Sequence, residues 1–227
     1  MVDSRWLKDN IDEFSFLSLA QKLLPETEFP IVSYPGLEYY LVPGAEKCRQ
    51  ALIPRFHYAT KQEEKDILSG CWLADKDYED TNMKYGFYFP DVPIGSLERL
   101  FPSWFCDSNV DSLIKTYYTE SDGSVYFSKK KLVTAVFIIL HEFGHYLDYK
   151  KMESTEAFAK WVYNAKAPFR ADETEIMELH KNGTLTEERY NTRWKIYRDC
   201  EDEKSADTYA LENLQAKTAE ALKIISG

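Results

Sequence analysis

An almost unbroken run of apolar residues extends from Leu132 to Leu140. The run is far shorter than the roughly 20 residues that a helix needs to cross a bilayer. A helix with apolar side chains on nearly every side must instead be buried within the protein. The sequence therefore predicts a buried core helix over about residues 130–149, around which the rest of the chain has to pack.

The second half of this helix carries the sequence His141-Glu142-Phe143-Gly144-His145. Four residues are just over one helical turn, so both imidazoles project from one face and can bind one Zn²⁺ ion. Glu142 lies beside them, where it can act as the general base toward a metal-activated water. Gly144 costs about 1 kcal/mol in helix propensity relative to Ala, which indicates that another element packs closely there.

A catalytic zinc needs a third protein ligand and an open fourth position. A third histidine at the spacing H-E-x-x-H-x-x-G-x-x-H is excluded, because Asp148 and Lys151 occupy the positions concerned. The candidates are therefore carboxylates. We expect Glu203 to be the third ligand, with Glu201 and Asp148 as the alternatives.

Glu203 belongs to a predicted helical stripe that also contains Ala206, Asp207 and Ala210. The two alanines would allow this helix to approach the histidine helix closely. Glu203 could then reach the metal, and Asp207, one turn further on, could accept a hydrogen bond from the second nitrogen of a ligand histidine.

Two further roles have candidates near these residues. Hydrolysis of a carbonyl compound needs a hydrogen-bond donor for the developing oxyanion. Tyr209, in the predicted ligand helix, is the favoured donor, and Tyr146, Tyr190 and Tyr197 are alternatives. Cys200 is a candidate fourth ligand that would close the metal site.

Outside this constellation the pattern predicts an α+β protein. Helices are predicted over 12–24, 154–165 and 172–181. Short strands are predicted at 31–34, 39–42 and 85–89, and a β-hairpin at 113–119 and 124–128 around an Asp-Gly turn.

The C-terminal region contains one stop signal and one start signal for helices. Asn182 and Gly183 should end the helix at 172–181. Thr184 and Glu187 form a capping-box pattern that should begin a last, long helix, either continuous or broken once, which carries Glu203.

Composition excludes several classes of function. The chain has 227 residues and a net charge of -10, which disfavours a nucleic-acid-binding surface. The N-terminal sequence lacks a signal-peptide pattern, so we expect a soluble, cytoplasmic protein without a membrane segment. The four cysteines form no C-x-x-C pair and are expected to be reduced. Of the remaining histidines, His57 and His180 are expected to be structural.

The sequence HEFGHYLD, followed by EKSADTYALENL, resembles the ImmA/IrrE-like zinc metallopeptidases. The resemblance covers about residues 111–216. It implies a gluzincin-type fold, in which a small sheet lies beside the active-site helix and a later helix carries the glutamate ligand. By this resemblance His141, His145 and Glu203 would bind Zn²⁺, Glu142 would be the catalytic base, and the predicted hairpin would supply the edge strand beside the cleft.

The resemblance also suggests how the chain is divided. Residues 111–227 would form a zincin-like metallopeptidase core, and residues 1–110 an accessory lobe packed on it. Residues 150–195 would be an insertion, because the two motifs are further apart than is typical of the family.

Two functions are consistent with these features. The first is a zinc-dependent peptidase that hydrolyses a protein or peptide substrate, including an effector protease with the same chemistry. The second is a non-catalytic, zinc-stabilised binding protein that holds a partner, such as a regulatory protein, without cutting it. A closed site with four protein ligands would favour the second function.

Overall fold

A computed structural model describes residues 10–42, 53–59, 63, 85–100, 108–119 and 123–227. Helices make up most of the described chain, and three short strands form one mixed sheet. The predicted α+β class is therefore confirmed. No helix in the described ranges is both long enough and apolar enough to cross a membrane.

The helices are α1 (Phe16–Leu23), α2 (Leu37–Leu41), α3 (Leu97–Leu100), α4 (Ser108–Thr119), α5 (Gly123–Lys151), α6 (Thr155–Ala165), α7 (Ala167–Lys181), α8 (Glu187–Arg198) and α9 (Glu201–Ser226). The strands are β1 (Ile31–Val32), β2 (Arg55–His57) and β3 (Gly86–Tyr88), and a 3-10 turn at Ile94–Ser96 leads into α3.

Helix α5 lies at the centre of the hydrophobic core. Residues 132–140 are all buried, and the core around them includes side chains from α1, the sheet, α4 and α9. Burial of each large apolar side chain contributes about 1.5–3 kcal/mol. The predicted buried helix at 130–149 is confirmed, and the helix is longer than predicted at both ends.

Helix α9 packs closely along the second half of α5. A Cβ atom added at Gly144 would lie 2.7 Å from the Cα of Ala206, closer than such atoms approach in proteins. Ala206 and Ala210 are both fully buried. The close packing that the glycine and the two alanines predict is therefore confirmed.

The sheet has the order β1-β3-β2, with β1 parallel and β2 antiparallel to β3. Aromatic rings join it to α5. Phe87 stacks on Phe143 with 6.2 Å between the ring centroids, and Phe56 contacts Tyr146 edge to face at 5.5 Å. These contacts hold the edge strand β2 beside the second half of α5.

The predicted β-hairpin is wrong. Its first strand lies within α4 and its second within α5, while the residues 120–122 of its turn lie outside the described residues. Val110 and Ile114 are one helical turn apart and both are buried in the core. Packing on α5 outweighs the β propensity of the individual residues, which depends strongly on context. The hairpin therefore supplies no edge strand, and β2 is the strand beside α5.

Two other local predictions need correction. Residues 39–42 were expected to form a strand, but most of them belong to the short helix α2. The N-cap of α8 is Thr186 and not Thr184, because the Thr186 hydroxyl accepts a hydrogen bond from the backbone N–H of Arg189. The strands predicted near residues 31 and 86 are confirmed as β1 and β3.

Helices α6, α7 and α8 connect α5 to α9. The helices predicted at 154–165 and 172–181 are confirmed, and Asn182 and Gly183 end α7 as predicted. The last helix is broken at Asp199, so that α8 and α9 are separate. The domain boundary at residue 110 remains a prediction.

Candidate metal centre

Helix α5 brings the two motif histidines together on one face. The Nε2 atoms of His141 and His145 lie 3.1 Å apart, and the two rings are nearly perpendicular. The His141 side chain is buried, whereas that of His145 is 16% exposed. The burial of the helix around them holds both rings in place.

Helix α9 adds Glu203 to this pair. Its Oε2 lies 3.3 Å from Nε2 of His141, and its Oε1 lies 3.8 Å from Nε2 of His145. One donor atom from each residue lies within 4.8 Å of the others. The three residues that the sequence proposed as ligands are therefore brought together at one point.

Asp207 lies one turn after Glu203, on the far side of the His141 ring. Its Oδ1 is 2.9 Å from Nδ1 of His141. Because an ionised carboxylate can only accept a hydrogen bond, Nδ1 carries a proton and its N–H donates a hydrogen bond to Asp207. When His141 is neutral, the lone pair is therefore on Nε2, which faces His145 and Glu203, as a metal ligand requires.

The donor set fits zinc. Tetrahedral coordination with bonds of about 2.0–2.2 Å places ligand atoms about 3.3–3.6 Å apart. The observed separations are 3.1, 3.3 and 3.8 Å. Two imidazole lone pairs and a carboxylate that face one another repel unless a proton or a cation lies between them. The site is therefore built around a positive charge.

In the metal-free protein a proton on His141 supplies part of this charge. Burial lowers the pKa of His141, but hydrogen bonds with Asp207 and Glu203 outweigh it and raise the pKa to about 9. Burial and the charge on His141 lower the pKa of His145 to about 3. Burial raises the pKa of Glu203, but Lys166 and His141 outweigh it and hold that pKa well below its usual range.

Glu142 is buried beside this group. The backbone N–H of Phe56 in β2 donates a hydrogen bond of 2.7 Å to its Oε2. Burial raises the pKa of Glu142 to about 7, against the opposing effects of His141 and the Phe56 N–H. A carboxylate with such a pKa can accept and return a proton near neutral pH, as a general base must.

Two cations that the sequence did not indicate also reach the site. Lys166, between α6 and α7, forms an ion pair with Glu203, and Arg198, at the end of α8, donates to Oε2 of Glu203 at 3.4 Å. Both lie in the segment between the two motifs, where neither spacing nor a motif marks them. Arg198 precedes Glu203 by five residues, but a basic residue near an acidic one in the sequence is too common to have identified it.

The favoured oxyanion donor, Tyr209, packs against Phe143 with 5.8 Å between the ring centroids. Tyr197 lies closer to the proposed ligands, because its ring contacts the Lys166 ammonium that pairs with Glu203. Its pKa is raised, mainly by burial and by the charge of Glu203. Tyr197 is therefore better placed than Tyr209 for a role at the metal site.

The alternative ligands lie elsewhere. Asp148 is buried and forms an ion pair of 2.7 Å with Lys151, and Glu201 is exposed. The Sγ atom of Cys200 donates to the carbonyl oxygen of Ile196. Among the described residues, the group with converging donor atoms contains only His141, His145 and Glu203. Three protein ligands leave the fourth position of a tetrahedral metal for a water or a substrate.

In comparisons with known proteins, the chain matches no family model, no curated protein and no solved structure. The function proposed below rests on the geometry of the site together with the motif resemblance.

Proposed function

We propose that this protein is a zinc-dependent metallopeptidase of the zincin type that hydrolyses a protein or peptide substrate. The observation that carries the proposal is the position of Glu142, a buried carboxylate next to a three-residue metal site. A purely structural zinc site has no need of a general base and usually has four protein ligands. We retain the ImmA/IrrE-like family and a cytoplasmic location as parts of this proposal.

Each residue of the site would have a distinct task. His141, His145 and Glu203 would hold the metal, and Asp207 would fix the orientation of His141. When bound, Zn²⁺ would supply Lewis-acid chemistry, polarising the scissile carbonyl and lowering the pKa of a water. Glu142 would accept a proton from the nucleophilic water and pass it to the leaving amine.

The binding alternative is also supported by an observation. Glu142 is already engaged by the backbone of β2, through the 2.7 Å hydrogen bond from the Phe56 N–H. If this bond persists with a partner present, Glu142 would tie the sheet to α5 and would not transfer a proton. The protein would then bind a partner protein through a zinc-stabilised fold without cutting it.

One experiment separates the two functions. The purified protein is analysed for zinc and incubated with a mixture of synthetic peptides of varied sequence, with products detected by mass spectrometry. The Glu142→Gln variant should keep its zinc and lose activity by about 10²–10⁴-fold. Glu201→Gln, which changes an exposed carboxylate of α9, is the matched control.

The outcomes of this experiment distinguish the peptidase from the binding protein. A protein without zinc, or an E142Q variant with full activity, would contradict the proposed mechanism. A protein that holds stoichiometric zinc and cleaves none of the peptides would favour the binding alternative.

A further inference from the structure

Each oxygen of the Glu203 carboxylate contacts one histidine and one cation. Its Oε1 lies 3.8 Å from Nε2 of His145 and forms an ion pair with the ammonium of Lys166. Its Oε2 lies 3.3 Å from Nε2 of His141 and 3.4 Å from a guanidinium nitrogen of Arg198. The proposed ligand therefore has cationic partners in addition to the two histidines.

The two cations are themselves held in place. The Lys166 ammonium lies 3.7 Å from the centre of the Tyr197 ring and 3.1 Å from Oδ2 of Asp202. Arg198 also contacts Oδ1 of Asp207 at 3.2 Å, and the same oxygen accepts the hydrogen bond from His141. The Lys166 and Arg198 side chains are only 18% and 10% exposed. Ion pairs with so little solvent are screened much less than surface pairs.

The two cations also connect Glu203 to neighbouring carboxylates. Lys166 contacts both Glu203 and Asp202, and Arg198 contacts both Glu203 and Asp207. Lysine and arginine side chains are positively charged at neutral pH. Glu203 is thus in contact with two positive charges that are themselves anchored, which restricts the orientation of its carboxylate.

We infer that Lys166 and Arg198 form an outer clamp on Glu203, which orients its carboxylate for the metal. The inference rests on the proposed metal site. A glutamate side chain has three rotatable bonds and would otherwise have to be immobilised when the metal binds, at a cost in conformational entropy. Because the clamp already restricts the carboxylate, less conformational entropy is lost when the metal binds. Lys166 and Arg198 are positioning residues, which act on the metal through Glu203.

The location of the clamp indicates a structural role for the segment from α6 to α8. Lys166 lies between α6 and α7, and Arg198 is the last residue of α8. This segment separates the two motifs in the sequence, yet the junction of α6 with α7 and the end of α8 supply the groups that contact the proposed ligand of the second motif. The segment therefore completes the metal site.

The two cations could instead compete with the metal for Glu203, and this alternative predicts the opposite change in metal affinity. Two positive charges next to a divalent cation repel it, so cations that merely competed for Glu203 would weaken binding, and their removal would strengthen it. Loss of groups that orient a ligand typically weakens metal binding by about 10–100-fold. The sign of the change therefore decides between them.

The test is a competition titration of zinc against a chromophoric chelator. The full-length wild-type protein is compared with Lys166→Met and Arg198→Met. We expect each variant to bind zinc about 10–100-fold more weakly than the wild type. Conservative variants, Lys166→Arg and Arg198→Lys, should recover part of the loss. The control is Arg189→Met, which removes an arginine of the same segment that pairs with Asp172 and Glu175 away from the site.

Unchanged or tighter zinc binding by both Met variants would overturn the clamp. Such a result leaves the proposed function standing, because the wild type still binds zinc. A wild type that binds no zinc overturns the metal site itself and the clamp with it.

A folding control is needed, because Lys166→Met removes the ammonium that contacts two buried carboxylates, those of Asp202 and Glu203. The double variant K166M/D202N removes one of these carboxylates along with the ammonium. Thermal melts in the presence of a chelator show which variants are folded. A folded double variant with wild-type affinity for zinc would also overturn the clamp.

Discussion

Asp207 accepts a hydrogen bond from Nδ1 of His141 over 2.9 Å, while Nε2 of the same ring points at the other two proposed ligands. The bond determines which nitrogen carries the proton, and it sets the plane of the ring. Asp207 thus acts on the metal through His141.

Asp207→Ala should therefore weaken zinc binding by about 10–100-fold. His141 loses its acceptor and can rotate or adopt the other tautomer, with Nε2 protonated. The measurement is the chelator competition, with Glu212→Ala, an exposed residue of α9, as the control. Equal affinities in D207A and the wild type would show that the His141 ring is oriented by its packing alone.

Zinc affinity should also depend on pH. His141 has a pKa of about 9 in the metal-free protein, so it is protonated at pH 7 and must lose this proton to bind a metal. Affinity should therefore rise by about tenfold per pH unit from about pH 6 to pH 9 and then level off. His145, with a pKa of about 3, adds no dependence in this range. Calorimetry in buffers of different ionisation enthalpy at pH 7 should detect the release of about one proton, and no release would contradict the assignment.

Gly144→Val should destabilise the protein. A Cβ at this position would lie 2.7 Å from Cα of Ala206, and a backbone atom cannot move aside as a flexible side chain can. We expect a loss of about 1–3 kcal/mol in the free energy of unfolding, the typical range for overpacked cores. Urea denaturation measures this loss, and Lys204→Val, on the exposed face of α9, is the control. A stable G144V protein would mean that α5 and α9 can separate without penalty.

Thr186 and Thr184 form a natural pair for testing the start of α8. Thr186 caps the helix through the N–H of Arg189, whereas the Thr184 hydroxyl donates to the carbonyl oxygen of Leu179. Thr186→Ala should reduce the free energy of unfolding by about 1 kcal/mol, and Thr184→Ala by much less. Urea denaturation of both variants measures the difference. The reverse order would restore the capping box predicted from the sequence.

The central pair of helices and the site between them could be predicted from the sequence. The apolar run at 132–140 identified the buried helix, and the spacing of His141 and His145 identified one face of it. The stripe of Glu203, Ala206 and Asp207 predicted a second helix in close contact. These features lie at fixed intervals within single helices, so periodicity alone is enough to place them.

The two cations that contact Glu203 could not be predicted in this way. Lys166 and Arg198 approach Glu203 because of the path of α6, α7 and α8, and no local pattern encodes that path. The hairpin error has a related cause. Ile114, in the predicted first strand of the hairpin, suits a strand or a helix equally well until its packing in the core is known.

The hydrogen bond from Phe56 to Glu142 joins residues that are 86 positions apart, and His141 is 66 positions from Asp207. Pairing over such distances requires the closure of long loops, which slows folding. During synthesis, a chain that has emerged only as far as the histidines holds two of the three proposed metal ligands and lacks the glutamate. Binding of the proposed metal would therefore require that α9 has been synthesised and has packed against α5.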